Sequence, residues 1–239
     1  MTRIKTLALA LMALSVFAIS TAASASATEL PDISVTLEES FPVKAEATSL
    51  KKAGLAFLET EVGSKLTAEQ VKGELELTSL SALGAVKLTF VNTKEPKSGE
   101  LCNTEGDAAG IVLVAGEFHV VFLAVGPPWT LHIDVLFEKP LVIKCGKLTI
   151  KVLPPALVAL HANLEKDITE FTVDAKCAKN AKNEIEKGRQ QFTEYINDAG
   201  TKLTKQLLLA NFGLGFENAC EQVEEELKFK TTKMILITP

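Results

Sequence analysis

Three histidines supply the chain's imidazoles: His119, His132 and His161. Imidazole titrates near neutrality and ligates transition metals, so acid–base or metal chemistry would start from these side chains. Two of them can be brought together. Glu117–Ala124 and Trp129–Phe137 read as neighbouring strands joined by a short loop over 125–128. Matching their apolar faces puts His119 opposite Asp134, with His132 two residues along on the same polar face. Such a cluster can bind a metal or orient a base. A metal site wants a third ligand, and the sequence offers none in reach. The cluster is therefore read as a solvated sheet face carrying a cross-strand His–Asp pair.

Other chemistry-bearing patterns are weaker. Asn103, Glu105 and Asp107 around Gly106 alternate oxygens as calcium loops do, but lack the spacing and terminal Glu of an EF-hand, so a polar turn is expected. The sequence has no G-x-S-x-G, no H-E-x-x-H, no phosphate-cradling glycine loop and no dinucleotide fingerprint. No catalytic, cofactor-binding or metal-ligating residue is assigned, and the expectation is a protein that is not an enzyme and needs no cofactor. Trp129 and Tyr195 are the only Trp and Tyr, which disfavours a flat sugar-binding face. The run Glu224-Glu225-Glu226 reads as a solvated face.

The elements that would position these residues belong to an exported chain. Arg3 and Lys5 precede an apolar run from Leu7 to Ile19, and small residues with two A-x-A sites end at Ala27. That is the pattern of a signal peptide over 1–27, too short to be a comfortable membrane span. No later apolar stretch is long enough to cross a membrane as a helix. The 239 residues carry a net charge of −5. Removing the signal, with its two basic residues, leaves the rest more acidic still. That balance argues against nucleic acid and anionic membrane surfaces as partners. Four cysteines, Cys102, Cys145, Cys177 and Cys220, suggest two disulfides in an oxidising compartment. Cys102–Cys145 with Cys177–Cys220 is preferred; Cys145–Cys177 nested within Cys102–Cys220, or free thiols, remain open.

Period-two alternation dominates. Leu75 and Leu77 alternate with Glu74, Glu76 and Thr78; Val86, Leu88 and Phe90 with Lys87 and Thr89; Leu148, Ile150 and Val152 with Lys147, Thr149 and Lys151. The fold class is all-β, an antiparallel β-sandwich or partly closed barrel with little helix beyond the signal. Residues 110–152 are read as a three-stranded meander at its centre. Residues 28–50 are expected to be an edge strand or flexible, with Ile33 and Val35 alternating. Residues 51–239 form a single β-rich domain, with a possible subdivision near 165. Thr67 and Gln70 predict one helical turn. Residues 178–188 predict a helical turn or open loop, and Asn197-Asp198-Ala199-Gly200 a hairpin turn. Val223–Phe229 is expected to be a strand because Val223, Leu227 and Phe229 share parity.

Six stretches, FLETEVGSKL (57–66), SLSALGAVKLTF (79–90), LCNTEGDAAGIVLVAGEFHVVFL (101–123), LVIKCGKLTIKV (141–152), QQFTEYINDAGTKL (190–203) and GFENACEQVE (215–224), together resemble a paralogous set of secreted, uncharacterised β-rich proteins of soil actinobacteria. The run from Cys102 to Gly110 is the most specific part. The resemblance covers most of the chain after the signal. It implies export, a β-rich domain and cysteines at the four positions above; no site residues come with it. The expected function is a non-enzymatic cell-envelope or extracellular interaction protein. The alternatives are a carrier of a small apolar ligand inside a β-barrel-like fold, suggested by Phe118–Leu123 being apolar on both faces, and a hydrolase without signature.

Overall fold

The computed structural model describes residues 36–37, 41–50, 55–79, 83–124, 130–137, 139–161, 167–196, 202–203, 207–229 and 234–235. The expected signal at 1–27, the alternation at Ile33 and Val35, Trp129 and the turn at 197–200 lie outside them. All regular structure among the described residues is strand. The first strands are β1 (Thr36–Leu37), β2 (Val43–Ser49), β3 (Ala56–Thr60), β4 (Lys65–Ala68), β5 (Gln70–Leu77), β6 (Leu83–Val91) and β7 (Cys102–Thr104). Next come β8 (Ile111–Ala124), β9 (Thr130–Leu136), β10 (Leu141–Cys145), β11 (Leu148–Leu153), β12 (Ala156–His161) and β13 (Glu170–Ala175). The last are β14 (Cys177–Lys179), β15 (Ile185–Gln190), β16 (Tyr195–Ile196), β17 (Lys202–Leu203), β18 (Leu209–Asn211), β19 (Glu217–Phe229) and β20 (Met234–Ile235).

Eight strands close into an antiparallel barrel in the order β13-β12-β9-β8-β6-β5-β2-β19, and β19 returns to β13. One parity of each strand points inward. Phe118, Phe122, Leu131, Phe171, Leu227 and their neighbours fill one end as a continuous core. An eight-stranded barrel is just wide enough to be filled by side chains or to hold one small ligand. Gly84 shows how tightly the filled part is packed. It pairs directly with Phe118, and a Cβ there would lie 2.6 Å from the Phe118 ring. The missing side chain lets the ring lie over the neighbouring strand, as aromatic residues do over sheet glycines.

A second sheet covers the other end. β7, β10, β11 and β18 run side by side and join the start of β19, while β4 and β3 pair with each other and β3 with β19. A second apolar cluster joins Val112, Val114 and Ala156 of the barrel to Ile143, Ile150 and Ala210 of this sheet. The cysteines pair as preferred, Cys102 with Cys145 across β7 and β10, and Cys177 with Cys220 between β14 and β19.

Several local expectations are corrected. β8 and β9 pair with His119 opposite Asp134, but the meander stops there: the other neighbour of β9 is β12. After Pro140 the hairpin β10–β11 leaves the barrel, because Ile143 and Cys145 bury in the second cluster and Cys145 is tied to Cys102. The helical turn at Thr67–Gln70 is strand. Thr67 exchanges both backbone hydrogen bonds with Lys94, at 3.0 and 2.9 Å, and this long-range pairing overrides the local capping pattern. Residues 178–188 fall in the β14–β15 hairpin, pinned by the Cys177 disulfide. β2, expected as an edge strand or flexible, has neighbours on both sides, β5 and β19.

Each disulfide spans 43 residues of chain. Removing loop-closure entropy of that size from the unfolded ensemble is worth about 4 kcal/mol. Replacing Cys177 and Cys220 together by Ala is expected to lower the unfolding free energy by about that amount in urea titrations. An unchanged midpoint would show that the bond does not constrain the native protein.

Candidate functional site

Two polar groupings lie on opposite sides of the same barrel wall. The outer one holds the histidines. Cross-strand partners run Val121–His132–Ala159–Asp174 over β8, β9, β12 and β13, with His119–Asp134–Leu157 as the adjacent row. The face was expected to be wet, and it is not. His132 is 1% and Asp134 3% exposed. The segment after β15 lies over His132: the Gln191 N–H donates to the Lys176 carbonyl, Phe192 meets the His132 ring edge-on with centroids 4.3 Å apart, and Ile196 of β16 pairs with Phe122.

Burial, not solvent, therefore sets the chemistry of this face. The His132 imidazole is pushed down to about 4, first by loss of water, then by the nearby His161, against a smaller pull from Asp174. Neither of its ring nitrogens has a hydrogen-bond partner, so it sits neutral in the wall. Burial raises Asp134 to about 6, with His119 opposing. Asp174 is the anchor of the neighbouring row. One of its oxygens takes His161 Nε2 at 2.7 Å and Lys176 Nζ at 2.6 Å. The structure thus gathers His119, His132 and Asp134 on one face with His161 and Asp174, yet none of them lines the cavity described below. No group of three or more His, Cys, Asp or Glu among the described residues has the arrangement of a metal site.

Asn103, Glu105 and Asp107 make a polar turn. Thr104 Oγ1 donates to the Asp107 carboxylate, Asn103 Nδ2 donates to the Thr104 carbonyl at 2.7 Å, and Glu105 pairs with Lys144 at 3.0 Å. The Asp107 and Glu105 carboxylates are thus engaged by the protein itself.

The inner grouping was missed. Between the filled end of the barrel and the covering sheets lies a cavity of about 130 Å³. Its wall is mostly hydrocarbon from Val, Leu, Phe, Ile and Ala, including Val112, Val158, Leu88, Phe90, Ile143 and Ala156. Into it project Glu221 and Glu225 of β19. The acidic run at 224–226 was expected to be solvated; Glu225 is instead 3% exposed and one of its carboxylate oxygens has no partner. The reason is the pleat. Val223 and Leu227 must face the core, and alternation carries Glu221 and Glu225 inward with them. That parity was readable in the sequence. Glu221 keeps some accessible surface, and because it lines the cavity, that surface does not amount to bulk hydration. Burial raises Glu221 to about 7 and Glu225 to about 8, the latter helped by the Glu221 charge. Thr67 Oγ1, also in the wall, is a second polar atom without a partner.

No protein-family description, no curated protein and no solved structure matches the chain.

The two groupings have opposite pH signatures. His132 has a depressed folded value, so the unfolded chain takes up a proton near 6.5 that the native state refuses until about 4. Stability is lost as pH falls through that window. The wild type is expected to lose about 3 kcal/mol relative to His132→Phe between pH 6.5 and 4, with a constant difference above it, by urea unfolding at each pH. Glu225 has a raised folded value, so its burden grows as pH rises from 4.5 to about 8 and is flat beyond. Glu225→Gln is expected to stabilise the protein on the order of a few kcal/mol at pH 9 and little at pH 4.5. Equal gains at both pH values would place the carboxylate in solvent.

Proposed function

We propose that the protein is an exported, non-enzymatic carrier that holds one small apolar ligand inside its barrel. The observation that carries this reading is the cavity of about 130 Å³, walled by hydrocarbon, next to a barrel end that is otherwise filled. An engineered apolar cavity of roughly 150 Å³ in another protein takes up benzene, so this volume suits one ring or a short chain. Export is supported by the two disulfides, which belong in an oxidising compartment, and by the signal-like N-terminus. Paired carboxylates also serve glycoside hydrolysis, but a sugar needs many hydroxyl-reading groups. Besides the two glutamates, the described lining offers only the hydroxyls of Thr67 and Thr93.

A second reading, an envelope or extracellular interaction protein, draws on the β18–β19 turn. There Leu214 is 88% and Phe216 46% exposed, an apolar tip that would seat on a partner. The two readings are compatible, since the tip and the cavity are separate features.

Native mass spectrometry of protein purified from its own host is expected to show retained ligand mass. Val158→Phe, which fills the cavity, is expected to lose that mass while keeping the fold. Wild-type protein that carries no extra mass, and whose melting temperature does not rise with saturating toluene, would leave the barrel a packed module instead.

A further inference from the structure

The two glutamates say more about the ligand than its size, and this inference rests on the carrier reading. The charged groups in the described wall are Glu221 and Glu225. Lys, Arg and His are absent from the described lining contributed by β3, β4, β6, β8, β9, β12, β13 and the covering sheet. Ser49, which faces Glu225 across the β2–β19 ladder, uses its hydroxyl to accept the Val71 N–H at 3.0 Å. The protein therefore supplies two acids and no countercharge. A buried carboxylate without a partner is costly, and it is normally paired or neutralised. Here one Glu225 oxygen and the Thr67 hydroxyl both stand unpartnered in the same wall.

A bare metal ion does not answer this arrangement. Calcium wants six to eight oxygens and magnesium a full octahedron, while the rest of the wall is hydrocarbon. A neutral apolar molecule would fill the volume and leave the carboxylates as they are. An acid would add a third negative group. An organic cation meets both demands, since its body packs on the hydrocarbon wall and its head supplies the missing charge and donors.

We infer that the ligand is a small apolar molecule ending in a protonated amine, its body on the hydrocarbon wall and its ammonium on Glu225, within the field of Glu221. An ammonium has three donors, and the free Glu225 oxygen can accept from one of them. Binding would shift the pair toward its ionised form and release a proton, so affinity should rise as pH rises from 5 to 8.5.

The test uses purified, oxidised protein and four probes of one shape: toluene, benzyl alcohol, benzylamine and benzoate. Isothermal titration calorimetry is run at pH 5 and pH 8.5, where benzylamine is still largely protonated. Benzylamine is expected to bind roughly 10- to 100-fold more tightly than benzyl alcohol at pH 8.5, the range for a hydrogen bond to a charged group. That advantage should shrink at pH 5 and vanish in Glu225→Gln, with Glu221→Gln intermediate. Both variants keep side-chain shape, and their unfolding curves report that they are folded. If toluene and benzyl alcohol bind and benzylamine binds no better, the ammonium inference is overturned and the cavity reading stands. An amine preference that survives Glu221→Gln/Glu225→Gln also overturns it, because the cation is then held elsewhere. If none of the four binds, the carrier reading falls and the inference with it.

Discussion

The ladder between β13 and β19 is the contact on which the rest of the molecule depends. It runs from Glu170 opposite Lys228 to Ala175 opposite Val223, and it turns an open sheet into a ring. Once the ring is closed, the parity of β19 is no longer free. Its one edge is occupied by β13 and its other by β3 and then β2, so a one-residue slip would break three pairings at once. Leu227 and Val223 hold the inward set, and two glutamates are held inward with them. Their burial costs stability, and nothing on the wall compensates it. The packed end of the barrel must offset that cost, through side chains such as Phe122, Leu131 and Leu227 that are 0–1% exposed.

The same wall bears polar groups on its other side, and the two sides have been resolved differently. On the outside, His132 loses its charge and rests against Phe192, while Asp174 engages His161 and Lys176. Asp174 is thus paired within the protein and His132 is neutral, although Asp134 and Asp174 each keep one buried oxygen without a partner. On the inside no such settlement exists. Residues that look alike in sequence, a few acids and histidines on alternating strands, thus end in opposite states because of what covers them.

Most of the fold was legible because period two is a direct imprint of a pleated strand with one buried face. Leu75, Val86, Ile133 and Ile150 all sit where their alternation put them, and His119 does face Asp134 as the matched apolar faces of β8 and β9 required, although a register shift between Phe122 and Ala124 puts Ala124 opposite Thr130. What was not legible is which face of a two-sided strand would be covered. His132 and Asp134 are polar on a strand whose other face is apolar, which reads as wet. The cover arrives from Phe192, far along the chain, and alternation carries no information about it. The helical turn at Thr67 failed for a related reason, since its strand partner Lys94 is distant in sequence. Glu225 was a different kind of miss. Its parity with Val223 and Leu227 was visible, but an acidic triplet invites a surface reading that the pleat forbids.

The position of β19 also bears on how the chain reaches this state. Its neighbours in the ring are β13 and β2, and β2 lies near the other end of the described chain: Phe229 sits opposite Ala45. The seam therefore joins segments separated by nearly the whole domain, the costliest kind of loop to close and the slowest kind of pairing to find. Until β19 emerges, β2 and β13 each present an unpaired edge, open to pairing with another chain. An export route that delivers the chain unfolded from its N-terminus would hold β2 waiting longest. The ring is thus a structure that only the whole chain can complete, and its vulnerable interval is set by the order of synthesis and not by the strength of any one contact.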